Sequence, residues 1–376
     1  MSPAGGAGAE TLSVVGRPRL DSLTGLRWWA AFGVFFYHML NFAPIPILSL
    51  FAPFGNSGVA FFFVLSGFVL SYSAKATTTT RNFYWRRFAR VYPAHFVALL
   101  LAIPVFYSLT PDPQQDWVKP FSIGVLLLSV FLLQGWSRDP VILFSGNPAA
   151  WTLTVEAFFY LLHPWMNRGL RLLRSRGATV LILIAFATAI GYRVLILLHP
   201  ESFWAMLPLP ITRINEFIIG MGLARLMLLG VKLPVAPILT YLLIAGFILW
   251  QVLGARYTPE AGFFVWSHYL REEILLGLFA VIILAVATRD VTGGRSLLRT
   301  PVLLHLGAWS FAFYLLHATV MYVFLAVFGK QAPSFSNVVW YLPVFGIALL
   351  LSWMLYRFVE RPMEMRMRRW GDRSLR

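Results

Sequence analysis

The chain contains no cysteine, so disulfide scaffolds, thiolate metal sites and cysteine nucleophiles are excluded. It is also short of charge: Asp, Glu, Lys and Arg make up 12% of its 376 residues, against about 25% in soluble domains. Acidic residues are scarce, 15 against 31 basic ones. Lysine occurs only at Lys75, Lys119, Lys232 and Lys330, and the resulting arginine bias reads as that of a GC-rich bacterial genome. There is no internal repeat and no low-complexity block beyond Thr77–Thr80. The net charge of +16 would suit a nucleic-acid binder. Here, however, the basic residues sit in short segments between apolar runs, with no aromatic-interleaved patch. The tendency of Lys and Arg to collect in cytoplasmic loops accounts for them.

What is abundant is apolar: 59% of the residues are hydrophobic, against roughly 45–50% in soluble proteins. Such a chain cannot coat a soluble globule with polar surface, and its apolar runs are long enough for a bilayer. Eleven lie near residues 23–42, 57–74, 91–109, 121–135, 150–166, 178–198, 208–229, 233–253, 270–288, 301–328 and 337–358. Arg17, Arg19 and Arg27 set the N-terminus in the cytoplasm. The clusters at 81–90, 168–176 and 289–299 and the tail from Arg357 should lie on the same side. Between the outer loop at 110–119 and the 168–176 cluster parity demands an odd number of crossings, yet two apolar segments intervene. The expected fold is therefore an all-α polytopic membrane protein of about ten transmembrane helices plus one re-entrant or non-spanning segment, with both termini cytoplasmic. Ser145-Gly146-Asn147-Pro148 is the expected break, with a cavity near residues 145–156, because irregular backbone at membrane depth survives only where protein or a cavity shields it. Residues 1–17 read as a disordered tail without a signal peptide, residues 18–363 as one transmembrane domain, and residues 364–376 as a basic cytoplasmic tail.

A charge at mid-bilayer costs at least ~2.5–3.5 kcal/mol, so intramembrane ionisable residues are functional candidates. Arg27 and His38 are eleven residues apart, about three helical turns with an offset of roughly 20° and a rise of about 16 Å. They share one face, with Arg27 at the cytoplasmic end and His38 near mid-membrane. Arg27 could serve only as a snorkelling anchor and His38 as a structural hydrogen-bonder. Glu156, Tyr160 and His163 form a second stripe, and Ser310, Tyr314 and His317 repeat its spacing. Gly307 one turn earlier would allow a close helix approach. Such stripes can be interhelical glue, but with His38 they would build a polar site inside a bundle. Arg213 and Glu216, at i and i+3, read as a structural ion pair. Arg86, Arg87 and Arg90 cluster at the mouth of the third span, where guanidinium groups suit the phosphates of a cofactor such as coenzyme A.

These residues make the chain resemble the acyltransferase-3 family of membrane O-acyltransferases, which modify sugars, envelope polymers and some antibiotics. Arg27 and His38 resemble the family's first-helix motif. Gly58-Val59-Ala60-Phe61-Phe62-Phe63-Val64-Leu65-Ser66-Gly67-Phe68 resembles its second-helix block. Phe83 to Pro93 is similar to its basic third-helix entry, and Trp151 to Tyr160 to its Trp–Glu–Tyr block. Ser310 to His317 and Tyr356 to Pro362, with Glu360, resemble the closing motifs. The six blocks run in the family's order over about residues 18–363. One departure is Ala60, where the family commonly has an acidic residue. The family's frequent esterase-like domain is not seen after the last block, so a stand-alone form is expected.

The resemblance implies acyl-CoA as donor, acetyl-CoA first, with no metal, and the bacterial cytoplasmic (inner) membrane as location. It implies an acceptor hydroxyl on a sugar, envelope glycan or macrolide-type metabolite. On this reading Arg87 and Arg90, helped by Arg86 and Arg27, bind the coenzyme A phosphates. His38 acts as general base or as a nucleophile. Glu156 orients His38 or the acceptor, while Tyr314 and His317 stabilise the oxyanion. The alternative from another class is a transporter or flippase using the same His, Glu and Arg residues as a substrate or proton path.

Overall fold

The computed structural model describes residues 18–75 and 77–374. The tail expected at 1–17 and the last two residues of the basic tail lie outside the described residues. Apart from one pair of two-residue strands (Tyr107–Ser108 with Lys119–Pro120), the regular structure is helical. The long helices are α1 (Asp21–Met39), α2 (Gly58–Ser73), α3 (Thr80–Phe106), α4 (Trp151–Leu172), α5 (Ser175–Leu198), α6 (Ile214–Leu228), α7 (Pro237–Tyr257), α8 (Arg271–Val291), α9 (Pro301–Phe328), α10 (Val338–Leu355) and α11 (Arg361–Ser374). A bilayer forces each segment to satisfy its own backbone, so even proline-bearing runs stay helical. Pro93 and Pro104 lie inside α3, Pro164 inside α4 and Pro343 inside α10.

Among the described residues seven helical stretches are long and apolar enough to cross a membrane: Leu48–Ser73, α3, α5, α7, α8, α9 and Phe335–Ser374. The chain is a multi-pass membrane protein. Against the expectation of about ten crossings, α1, α4 and α6 fall outside that measure, α6 because it has only 15 residues. The apolar run at 121–135 forms no long helix. It breaks into an eight-residue helix, Ile123–Val130, and a turn at Gln134–Trp136. At 1.5 Å per residue the short helix spans about 12 Å, far less than a ~30 Å hydrocarbon core.

The backbone that follows is irregular and buried, as expected around Ser145–Pro148. Its polar groups are paired inside the protein. Ser145 Oγ meets Ser129 Oγ at 2.8 Å, and Asn147 donates from Nδ2 to Leu315 O at 2.7 Å. The Asn147 side chain also accepts from Ala149 N at 3.0 Å, setting the turn that launches α4.

Lipid tails are as apolar as leucine, so association rests on close packing between helices. Gly67 of α2 faces the Phe217 backbone of α6, and Gly220 of α6 faces the Val64 backbone of α2; a side chain at either would collide. Gly307 of α9 lies against the Thr24 backbone of α1 in the same way, as its place before the Ser310 stripe anticipates. Contacts between distant segments gather several helix ends at one face, called the basic end below. Ser22 bonds Asp290 through its N–H (2.8 Å) and hydroxyl (2.6 Å). Arg225 Nε donates to Leu173 O at 2.9 Å, and Arg86 to Asp372 at 2.6 Å. The helix α11 runs through residue 363 and folds back on α3, with Trp85 and Trp370 rings 4.8 Å apart. It follows α10 through a π-turn at Tyr356–Glu360, which ends on the buried Glu360.

Candidate active site

A cavity of about 150 Å³ lies among α1, α2, α3, α4 and α9. Thr152, Leu153 and Glu156 form part of its wall, at the end of the stretch where a cavity is expected. Its ionisable lining is Arg27, Arg87 and Arg90 with Glu156, Tyr160 and Tyr314. Three guanidinium groups thus face one carboxylate.

The three arginines are held differently. Arg90 is neutralised: it pairs with Glu360, whose side chain is fully buried, and with Glu364 at 3.1 Å. Arg27 and Arg87 have no carboxylate within ion-pair distance among the described residues. Arg87 Nε is buried with no hydrogen-bond partner, and its guanidinium lies 5.9 Å from the ring centres of Phe83 and Tyr160. A desolvated guanidinium without a counter-charge is costly unless a ligand supplies one. Arg86, the fourth expected member, does not line the cavity. It turns to the surface of α11, where Asp372 takes its Nε at 3.1 Å and its NH2 at 2.6 Å.

Glu156 and Tyr160 meet as their i, i+4 spacing requires: the Tyr160 hydroxyl donates to Glu156, and Ser66 Oγ donates to the same carboxylate oxygen at 3.2 Å. These contacts do not join Glu156 to His38. His163, the third member of that stripe, leaves the cavity, meeting Ser71 Oγ at 3.3 Å and stacking on Phe83. Arg213 and Glu216 form the ion pair their spacing suggests, at 2.8 Å.

His38 and His317 meet each other outside the cavity lining. His317 Nε2 lies 3.2 Å from His38 Nδ1. His317 Nδ1 faces Phe313 O at 3.0 Å, and His38 Nδ1 faces Val34 O at 2.9 Å. A carbonyl only accepts, so each Nδ1 carries the proton. His317 Nε2 then offers a lone pair to the shared His38 Nδ1–H, and in that tautomer the His38 Nε2 lone pair is free to accept a proton. His317 is fully buried, whereas His38 is partly exposed. Tyr314 links the two halves: it lines the cavity, its ring centre is 5.9 Å from that of His317, and its hydroxyl points to Ala149 O at 3.4 Å.

Sequence reasoning gave no role to Ser66, to the Glu360–Glu364 clamp on Arg90, or to Asp372. Glu360 lies in the closing motif from Tyr356 to Pro362, but its partner is 270 residues away, and no spacing rule reaches that far. Among the described residues no cluster of three or more His, Asp or Glu could hold a metal ion.

The fold and this interior polar site define a multi-pass membrane protein with a basic pocket and a histidine pair, His317 buried and His38 partly exposed. Residues 20–357 match the family model of the acyltransferase-3 acyltransferase domain, and the chain belongs to that family. It is 31% identical over 368 residues to "Acyltransferase MdmB" of Streptomyces mycarofaciens, covering 92% of this chain and 91% of the relative. It is 25% identical over 370 residues to "Peptidoglycan O-acetyltransferase OatA" of Listeria monocytogenes, and 26% over 366 to "Putative peptidoglycan O-acetyltransferase YrhL" of Bacillus subtilis. Those matches cover 92% and 91% of this chain but only 56% and 54% of the relatives. No solved structure matches the chain. Family membership makes the protein an acyltransferase, and the transporter alternative falls.

Proposed function

We propose that the protein moves an acetyl or other short acyl group from cytoplasmic acyl-CoA to an acceptor hydroxyl, with His38 as the base. The observation that carries this reading is the single file formed by the unpaired Arg27 and Arg87, then Tyr314, then His317 and His38. The basic end is cytoplasmic on this reading, since Arg clusters gather there. All ten long helices up to α10 then cross the membrane, and the Ile123–Ala150 segment is the re-entrant one. The cytoplasmic membrane of a bacterium is the location that best suits the composition and the bacterial relatives.

The cavity is smaller than the ~300–1,000 Å³ of sites that enclose drug-sized ligands. It therefore suits the acyl-bearing arm of the donor, with the phosphates at its mouth against Arg27, Arg87 and Arg90. Arg86 contributes through Asp372 to holding α11 in place, not to the donor. His38 lies about 16 Å along α1 from Arg27, beyond Tyr314, so the acceptor reaches it from the side away from the basic end.

There the acceptor hydroxyl gives its proton to His38 Nε2 while its oxygen attacks the thioester carbonyl carbon. The tetrahedral intermediate collapses by breaking the C–S bond, and the leaving thiolate takes the proton back from the imidazolium. Nε2 is also the atom that a two-step route through an acyl-imidazole would acylate. The His317 lone pair orients His38, a role that replaces its expected service to the oxyanion. Tyr314 supplies the oxyanion donor, and Glu156 braces Ser66 and Tyr160 in the donor wall. The relatives named as peptidoglycan O-acetyltransferases support a glycan hydroxyl as acceptor, and a macrolide-type metabolite is the other hydroxyl class the family suggests.

The test uses purified protein in lipid nanodiscs with acetyl-CoA. Binding, and release of free coenzyme A that rises with an added hydroxyl acceptor, is the expected result. Absence of both binding and release overturns the reading.

A further inference from the structure

Behind the α1–α2 wall, on the face turned away from the cavity, lies a second and larger space of about 880 Å³. It is an apolar trench between α1, α2, α7 and α8. Its floor is made of small residues, Ala30 and Gly33 of α1 with Gly55 in the turn before α2 and Gly58 at the start of α2, and its sides of branched and aromatic ones such as Ile244, Ile248 and Phe279. The trench exists because α7 packs on α8 rather than on α1, while at its floor Gly55 and Gly58 lie directly against the α1 backbone at Gly33 and Ala30. From Leu275 to Arg289 along α8 it runs about 21 Å at 1.5 Å per residue, longer than one leaflet of a ~30 Å hydrocarbon core.

The end of the trench at the basic face is not apolar. Arg289, Arg295 and Ser296 line it there. Both arginines are exposed, and neither forms an ion pair among the described residues. The nearby carboxylate is already engaged: Asp290 takes the Ser22 N–H and hydroxyl at 2.8 and 2.6 Å and has Arg299 at 3.7 Å. Arg289 is held over the trench mouth by its Nε, which donates to Arg295 O at 2.6 Å. That leaves its two terminal nitrogens free to donate. A pair of unneutralised guanidinium groups over a long apolar trench is complementary to one kind of molecule, an amphiphile with an anionic phosphate head and acyl tails.

We infer that this trench is a binding site for an anionic phospholipid, its phosphate held by Arg289 and Arg295 and its tails lying along Ala30, Gly33 and Ile248. The site is separate from the cavity, and the inference stands whether or not the proposed donor site does. Native mass spectrometry of the full chain, released from nanodiscs holding equal phosphatidylglycerol and phosphatidylcholine of identical tails, tests it. Wild type should retain one phosphatidylglycerol at least tenfold over phosphatidylcholine. The double variant Arg289→Gln, Arg295→Gln should lose that preference while still carrying lipid. Ile248→Trp, which fills the trench and leaves both arginines in place, should lose the retained lipid. Equal retention of the two lipids by wild type overturns the inference, as does a preference that survives the double variant. Retention unchanged in Ile248→Trp, or a second copy of the chain in place of lipid, overturns it as well.

Discussion

Replacing Arg87 with methionine should separate donor binding from stability, because Arg87 and Arg90 line the same cavity under opposite conditions. Arg87 has no counter-ion, and its Nε is buried without a partner. Methionine there removes a desolvated charge and forfeits the contacts with Phe83 and Tyr160, so stability should change by no more than about 1 kcal/mol. If Arg87 meets a donor phosphate, the loss is that of a hydrogen bond to a charged group, ~1.5–3 kcal/mol. That corresponds to a rise of about 10- to 150-fold in KM for acyl-CoA. Arg90→Met is the contrast. It strands Glu360, whose side chain is fully buried, and removing one partner of a buried pair costs about 3–5 kcal/mol. The double variant Arg90→Met, Glu360→Gln should recover most of that stability without recovering donor affinity. Thermal unfolding in nanodiscs and acyl-CoA saturation curves measure both quantities. Equal destabilisation by Arg87→Met and Arg90→Met, with KM unchanged in both, would contradict a phosphate-binding role for Arg87.

Four further outcomes follow from the same geometry. His317→Phe keeps the ring volume and removes the acceptor facing His38 Nδ1–H; kcat should fall at least tenfold with KM for acyl-CoA unchanged, and an unaltered kcat contradicts the positioning role. Gly307→Leu drives a side chain into the Thr24 backbone; overpacking of ~1–3 kcal/mol or more should lower the unfolding temperature and separate His317 from His38, with Gly307→Ala milder. Asn147→Leu leaves Leu315 O and Ala149 N without the partners they have now, about 1–3 kcal/mol for each buried group, measurable as loss of folded yield and of melting temperature. Arg86→Gln should change KM for acyl-CoA less than twofold, since its charge already belongs to a partly exposed pair with Asp372; a tenfold rise would return Arg86 to the donor site.

Much of this was legible in the sequence because helical periodicity and the cost of intramembrane charge are local rules. The spacing of Glu156 and Tyr160 gave a shared face, and the two side chains do bond. The Ser310 stripe likewise carries Tyr314 to the cavity and His317 to His38. What spacing could not give is which neighbour each part of a face meets. Arg27 and His38 share a stripe of α1, yet Arg27 looks into the cavity while His38 meets α9 beyond Tyr314. Arg86 sits one residue from Arg87 and points elsewhere, because Asp372 lies on a helix 286 residues further on. The π-turn before α11, which brings Glu360 to Arg90, has no signature in residue pattern. The trench behind α1 and α2 was invisible for a different reason: it is a place where helices fail to pack, and only the assembled bundle reveals it.

In the proposed reaction His38 Nε2 takes the acceptor proton. The most direct measurement is acyl transfer by purified His38→Ala in nanodiscs, compared with wild type at saturating acyl-CoA across a range of pH. Loss of a positioned general base should lower kcat by about 10²–10⁴-fold while acyl-CoA binding is kept. The wild-type rise in rate as the imidazole loses its proton should also disappear. A folded His38→Ala protein that transfers the acyl group at the wild-type rate, with the same pH profile, would contradict the account.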